Sequence, residues 1–462
     1  MALREENCMV VGGFRFFTAQ EAPLGKYEVR IRFDGRDAFW SDAVQEAAAW
    51  IAKTAGLPPC HVPDAAFDPL YSSWYSFHQN VFAKDIEEEC AIAAKMGMKT
   101  IILDDGWQTD DTNRGYAFCG DWKVSPRRFP DMAAHVKRVH ELGMKYMVWY
   151  AVPFVGKRSK NWERFKDRYM LDGGTLDPRF PEVRKFLIDT YVTAMKEWGL
   201  DGFKLDFIDS FGFRGKDPAV ADNYAGRDIR SIPEAVNRLM TDVYAALKAE
   251  NPDVLIEFRQ SYIGPAIRQF GNMMRAGDCP GDMQLNRLRI ANLRLTVGSA
   301  AVHADMLEWH PTDTPEGAAL PILSSMFGVI QYSMMLRDLP ESHLETIRHW
   351  LAFSQEHRDT LQKGRFRAYH PEAGYPLLAA ESAKERIFGV YTSNMAVPCG
   401  KLDRPVYVLN GTAEGGMVLD LPAAPETLTV FDATGKTRPC EVPKSSGLVR
   451  IAVPSGGYAR VQ

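Results

Sequence analysis

The sequence predicts an α/β fold, a (β/α)8 barrel followed by a C-terminal antiparallel β-sandwich. From about residue 65, short apolar runs alternate with amphipathic helical stretches, the mark of a parallel sheet wrapped by helices. Eight such runs occupy roughly 270 residues, close to the ~250 of a typical barrel. After a helix at about 341–362 the texture changes to short alternating runs parted by Gly, Pro and Asn, as in a sandwich.

Each element has its own warrant. Before the barrel, YEVRIRF (27–33) alternates as a strand does, and SDAVQEAAAWIAKTAG (41–56) reads as a helix capped by Ser41 and stopped by Gly56. LPPCHVPD (57–64) reads as a linker. One strand and one helix bury no core, so residues 1–62 must pack on the domain next in the chain. The barrel is expected over 63–345. Its strands are LYSSWY (70–75), KTIIL (99–103), KYMVWYAV (145–152), DGFKLDF (201–207), DVLIEF (253–258), GNMMRAG (271–277), GSAAVHAD (298–305) and GVIQYSM (328–334). Between them, Ile86, Cys90, Ala93 and Gly97, and later Val183, Leu187, Tyr191, Met195 and Trp198, recur at helical spacing. A doubly wound sheet is the alternative, but no GxGxxG follows any strand. The closing helix and sandwich fill 346–462.

Composition narrows the function. Net charge is −4 with both signs interspersed, so no basic stripe suits nucleic acid. Seven cysteines (8, 60, 90, 119, 279, 399, 440) show no CxxC pair, which argues against a disulfide framework or zinc site and for a reducing compartment. The N-terminus lacks the apolar core of a signal peptide. Gly317–Leu336 is uncharged and about long enough to span a bilayer. Its Pro321, Gly328, serines and Gln331 instead predict a buried helix followed by a buried strand. The expectation is a cytoplasmic protein with no membrane segment, a small and roughly neutral partner, and either a monomeric or a homo-oligomeric state.

Strand C-termini face the mouth of such a barrel, and here they are charged. They carry Asp104, Asp105 and Trp107 after strand 2, Lys204 and Asp206 on strand 4, and Glu257 and Arg259 on strand 5. Strand 6 brings Arg275 and Asp278, and strand 7 His303 and Asp305, with Trp74, Trp122 and Trp149 interleaved. Carboxylates accept hydrogen bonds from hydroxyls, and aromatic faces stack on pyranose C–H groups, so the set suits a sugar. Breaking a glycosidic bond with retention needs two carboxyl groups about 5–5.5 Å apart. Asp206 and Asp278, on alternate strands, can meet across the mouth. Lys204 lies two residues before Asp206, points the same way, and is expected to hold it ionised. Read singly, DDG is a turn, KxD an ion pair, and His303 a core histidine.

With those residues in place, the chain resembles glycoside hydrolase family 36 and its clan relatives, the α-galactosidases. The matching stretches are LYSSWYSF (70–77), LDDGWQ (103–108), GDWKVSPRRFPD (120–131), LDPRFPEVRKFL (176–187), WGLDGFKLDF (198–207) and, more loosely, RAGDCPGDMQLNRLRI (275–290). The resemblance implies that Asp206 is the nucleophile and Asp278 the acid and base. It implies that Asp104 and Asp105 hold sugar hydroxyls with Lys204 assisting, and that Trp149 lines the pocket; Trp107, Arg259, Arg275 and Asp282 are further candidate substrate-binding residues from their places at the mouth. Asp282 is the competitor of Asp278, since it fits the spacing to NRLRI almost as well. Neither metal nor cofactor is implied, and the expected partner is a small oligosaccharide or glycoside.

Three departures bear on specificity. Where the family shows Trp-x-Glu-Pro after strand 3, this chain has Trp149-Tyr150-Ala151-Val152-Pro153. The small strand-5 loop that contacts the sugar near its 2-position in the family is replaced by Glu257-Phe258-Arg259-Gln260-Ser261-Tyr262. Arg259 is expected to pair with Glu257 or Asp278, with recognition of an anionic or decorated sugar as the alternative. Residues 1–62 read as the tail of the family's N-terminal sandwich plus linker. An α-N-acetylgalactosaminidase or other α-glycosidase with a modified sugar subsite, a transglycosidase of the raffinose-synthase kind, a non-catalytic carbohydrate-binding protein and a Mg²⁺-dependent barrel are the competing functions.

Overall fold

The computed structural model describes residues 2–4, 6, 9–17, 24–113, 115–171, 173–213 and 224–462. Eight parallel strands form the barrel: β1 (Leu70–Ser72), β2 (Thr100–Leu103), β3 (Lys145–Ala151), β4 (Gly202–Asp206), β5 (Leu255–Arg259), β6 (Met273–Arg275), β7 (Ala301–His303) and β8 (Gln331–Tyr332). Each from β1 to β7 pairs with its neighbour in sequence, and β8 pairs with β1. Parallel bridges His303–Val329 and Leu307–Tyr332 close the ring between β7 and β8.

Strand alternation stacks the barrel interior in layers. The lower layer is apolar: Leu70, Ile102, Met147, Leu255, Met273, Ala301 and Val329 pack with Ala66 and Phe67. Two residues further along each strand the inward side chains include Asp104, Trp149, Glu257, Arg275, His303 and Gln331, all buried, with Lys204 beside them. A buried charged layer persists only if its members are paired, and this one is the floor of the mouth.

Helices α1 (Trp40–Thr54), α2 (Ala83–Met96), α3 (Met132–Glu141), α4 (Pro181–Trp198), α5 (Ile232–Glu250), α6 (Met283–Thr296), α7 (Pro315–Ser325) and α8 (Glu341–Glu356) are the main helices. The uncharged stretch from Gly317 is part of α7 and then β8, and among the described residues no helix is long and apolar enough to cross a membrane. α1 docks at the junction of barrel and sandwich, where Trp40 stacks on Tyr375 at 6.0 Å and Asp42 pairs with Arg365 at 2.7 Å and Arg367 at 2.9 Å. Ser41 does not cap it: the helix starts one residue earlier, Phe39 stands at the cap, and Ser41 is buried. Residues 27–33 form no strand and are exposed; among the described residues no strand pairs with them, and a ladder needs a partner.

The sandwich contains β9 (Arg365–Tyr369), β10 (Leu377–Glu381), β11 (Arg386–Val390), β12 (Ala396–Pro398), β13 (Val406–Asn410), β14 (Met417–Leu421), β15 (Leu428–Phe431), β16 (Thr437–Arg438), β17 (Gly447–Ile451) and β18 (Tyr458–Val461). Seven strands make one sheet and three the other. It is not purely antiparallel: β11 with β13 and β12 with β14 run parallel. Val397, Val408, Leu419, Val430 and Ile451 share its core, and Tyr458 meets Trp350 and Phe353 of α8 at 5.6 and 5.1 Å. Six cysteines are free thiols, and Cys8 lies outside the described residues.

Candidate active site

Asp206 ends β4, buried at the C-terminal mouth. Its Oδ1 accepts from Arg259 Nε at 2.8 Å, Tyr262 Oη at 3.1 Å and the Phe207 amide at 2.8 Å. Its Oδ2 accepts from Trp149 Nε1 at 3.1 Å. Burial works to raise its pKa, but the charges of Lys204 and Arg259 and the Trp149 hydrogen bond outweigh it and hold the carboxyl below its ordinary range. Asp206 is therefore an oriented carboxylate with one oxygen, Oδ2, bearing a single donor.

Arg259 corrects the sequence expectation. It pairs with Asp206 rather than with Glu257 or Asp278, and its guanidinium lies 5.2 Å from the Phe207 ring and 5.8 Å from that of Tyr262. The β4–β5 register explains this: Lys204 sits opposite Glu257, so two residues on Asp206 meets Arg259. Glu257 is one layer lower, hydrogen-bonded to Gln331 and 3.6 Å from Arg275. Lys204 likewise makes its contact with Asp104, at 2.6 Å, and acts on Asp206 through space.

Asp278 follows β6. Arg275 Nη2 donates to its Oδ1 at 2.7 Å, and its side chain is half exposed. Burial raises its pKa, yet Arg275 and Lys204, with Arg259, bring it well below the usual carboxylate range. Asp206 and Asp278 thus answer to the same three cations, Lys204, Arg259 and Arg275. Arg275 is fully buried, reaching Asp278, Asp305 and Glu257, so it organises the acids rather than presenting itself to a ligand. Asp282 is the N-cap of α6, accepting from the Leu285 amide at 2.9 Å, which commits its carboxylate to the helix.

Asp105 receives Gln79 Nε2 and Gln108 Nε2, each at 2.6 Å, and burial pushes its pKa up to about 6. Gly106 makes that grip possible: at φ 123° it takes a left-handed turn, and a Cβ there would lie 2.7 Å from the Gln79 backbone. Trp107 is not a wall of the mouth. It is completely buried, donates Nε1 to the Trp149 carbonyl at 3.1 Å, and packs on Tyr150 and Trp198 at 5.2 and 5.4 Å. Tyr116 takes the aromatic place above, stacked at 6.3 Å on Trp149 and partly exposed.

His303 is a core histidine, its Nε2 2.8 Å from the Ala66 carbonyl and its pKa pressed down by burial to about 4. Tyr75 donates to Asp305 at 2.9 Å. Tyr262, Tyr116, Gln79 and Tyr75 were not legible as site residues; Gln108, inside LDDGWQ and three residues after Asp105, was the exception in principle. Among the described residues no group of three or more His, Cys, Asp or Glu is placed to hold a metal ion.

Fold and mouth together define a (β/α)8 barrel whose C-terminal rim gathers paired carboxylates. More narrowly, the chain is related to the α-galactosidase-like proteins of glycoside hydrolase family 36. Residues 68–176 match the Melibiase family model, a span that holds Asp104, Asp105 and Trp149 but stops before Asp206. The chain is similar to the A type blood alpha-D-galactosamine galactosaminidase of Flavonifractor plautii, 24% identical over 67% of this chain and 28% of the relative. It is also similar to alpha-galactosidase 1 of Pediococcus pentosaceus, 31% identical over 29% of this chain and 19% of the relative. The GH36 alpha-galactosidase AgaA of Geobacillus stearothermophilus, a variant solved in complex with stachyose, shares the fold with a TM-score of 0.59 and 17% identity, covering 86% of this chain and 55% of that one. The chain thus spans less than a third of the curated relatives' lengths.

Proposed function

We propose that the chain is a retaining exo-α-glycosidase of the α-galactosidase type, acting on the terminal α-linked sugar of a small oligosaccharide or glycoside. The observation that carries the reading is Asp206, a buried carboxylate at the mouth held ionised by Lys204 and Arg259. In the first step Asp206 Oδ2 attacks the anomeric carbon while the glycosidic C–O bond breaks and Asp278 gives its proton to the leaving oxygen. In the second, Asp278 takes a proton from water, whose oxygen displaces Asp206 and restores both groups. Arg275 keeps Asp278 charged in the free site. To act as the acid, Asp278 must bind a proton in the substrate complex, against the pull of Arg275, Lys204 and Arg259. Asp104 and Asp105 accept hydrogen bonds from sugar hydroxyls.

Arg259 bears on which sugar fits. Once Asp206 is esterified, the guanidinium loses its direct partner, keeps only the more distant charge of Asp278, and opposes a cationic amino sugar. A neutral α-galactoside is therefore preferred over an α-galactosaminide, although a galactosaminidase is among the relatives. The test is turnover of 4-nitrophenyl α-galactoside, α-N-acetylgalactosaminide, α-glucoside, α-galactosaminide and α-uronide at neutral pH, with Asp206→Asn as the control. The galactoside should be cleaved and the variant inactive. Turnover of none, or full activity of the variant, refutes the proposal; transfer to sucrose instead of water would reassign it to a transglycosidase.

A further inference from the structure

A cavity of about 510 Å³ lies at the end of the barrel away from the mouth, between α1, α6 and the loops leading into β6 and β7. Its position follows from its lining: Arg268 precedes β6, which begins at Met273, and Gly298 precedes β7, which begins at Ala301. Ala48, Ala52 and Leu295 give it an apolar wall, and Lys53, Arg268 and Arg294 bring three positive charges. Among the described residues, none of its lining side chains is acidic.

Arg268 is the anomaly. It is only 4% exposed, and its Nε and Nη2 are buried with no hydrogen-bond partner among the described residues. Gly298 leaves it room, since a Cβ there would stand 2.7 Å from Nη1. Arg294 donates to the Gln362 carbonyl and lies 5.1 Å from the Phe366 ring, again with no carboxylate among the described residues. Burial draws both guanidiniums below their ordinary range, Arg294 to about 10, and no acid among the described residues offsets it. The C-termini of α1 and α6 approach the cavity, each contributing roughly half a negative charge. Three cations against about one negative equivalent leave a surplus of about two. A buried cation without an anion lowers stability, so an anion of matching charge is what the cavity lacks.

We propose that this cavity binds a phosphate monoester, its dianion between Arg268 and Arg294 with Lys53 at the rim, and its organic part against Ala48, Ala52 and Leu295. Arginine is the usual partner of phosphate groups, Arg268 meets the cavity wall at Gly298 through Nη1, and the volume exceeds what a bare phosphate fills.

The test is calorimetric titration of the full chain, in a phosphate-free buffer, with a hexose 6-phosphate, inorganic phosphate and the neutral hexose. The hexose phosphate should bind at least about tenfold tighter than inorganic phosphate, and the neutral hexose should not bind at this cavity. Arg268→Met should weaken binding at least about tenfold, while raising Tm in the absence of ligand because an unpaired buried charge is gone. Lys53→Ala, an exposed change that leaves the core intact, should weaken binding severalfold and serves if Arg268→Met does not fold. Equal affinity for inorganic phosphate overturns the ester and assigns the site to the free anion. No binding, binding unaltered in both variants, or binding lost in Asp206→Asn overturns the proposal.

Discussion

Asp206→Asn should unfold more easily than the parent chain, and the size of the loss is set by the groups around the carboxylate. Its side chain is 7% exposed and that of Arg259 is 19% exposed, with Nε 2.8 Å from Oδ1. Two unit charges whose centres lie about 4 Å apart attract by ~4 kcal/mol at an effective dielectric constant of ~20. Removing one partner of a buried pair typically costs ~3–5 kcal/mol. The asparagine can keep the Tyr262 and Phe207 donors on its carbonyl, but its amide then faces Trp149 Nε1, donor against donor. Relief from burying the carboxylate offsets part of the loss, leaving ~2–4 kcal/mol, or a fall in Tm of roughly 2–4 °C for a chain of this length.

Thermal unfolding of Asp206→Asn, Arg259→Gln and the double variant forms a cycle whose coupling should be about 2 kcal/mol. Because the folded pKa of Asp206 is lowered, its stabilising contribution is full above the ordinary 3.8 and is lost as pH falls through the lower folded value. The gap between parent and Asp206→Asn should therefore shrink in strong acid. An Asp206→Asn protein as stable as the parent at neutral pH, or additive single substitutions, would refute the ion-pair reasoning.

The remaining predictions separate structural from chemical duties. Trp107→Ala should cost ~3–5 kcal/mol from its cavity, whereas Trp107→Phe should keep KM within about twofold, since the ring is fully buried beneath Trp149; a large KM rise in Trp107→Phe would return the residue to the sugar site. Asp282→Ala should lose ~1 kcal/mol with its cap and retain turnover. Asp278→Ala should lose ~10²-fold or more in kcat on poor leaving groups and far less on activated aryl glycosides; the reverse pattern would exchange the two roles. His303 has a folded pKa of about 4 against an ordinary 6.5, so its unfolded form binds a proton first and stability falls as pH drops from 6.5 towards 4. That interval corresponds to about 3 kcal/mol, and denaturation midpoints of His303→Asn should lack this part of the slope.

The barrel was legible because strand alternation and helical spacing are local properties: KTIIL, KYMVWYAV and DGFKLDF map onto β2, β3 and β4 within two residues at either end. The mouth was legible for the same reason, since Lys204 and Asp206 share a face whatever their neighbours. Partnership was not. Whether Arg259 meets Asp206, Glu257 or Asp278 depends on the register between β4 and β5 and on depth in the barrel, which no single strand encodes. Trp107 misled because a DDGW turn fixes where a residue starts, not whether its ring folds outward over the rim or back beneath Trp149. YEVRIRF alternated without becoming a strand, for alternation states a capacity and a ladder needs a partner.

The most direct measurement is covalent trapping. The chain should be incubated with an activated 2-deoxy-2-fluoro α-galactoside, digested, and its peptides weighed by mass spectrometry. A sugar ester on the peptide bearing Asp206, missing in Asp206→Asn, is the result expected of a nucleophile poised at the end of β4. A label on Asp278, or steady hydrolysis of α-galactosides with inversion and no labelled peptide, would contradict it.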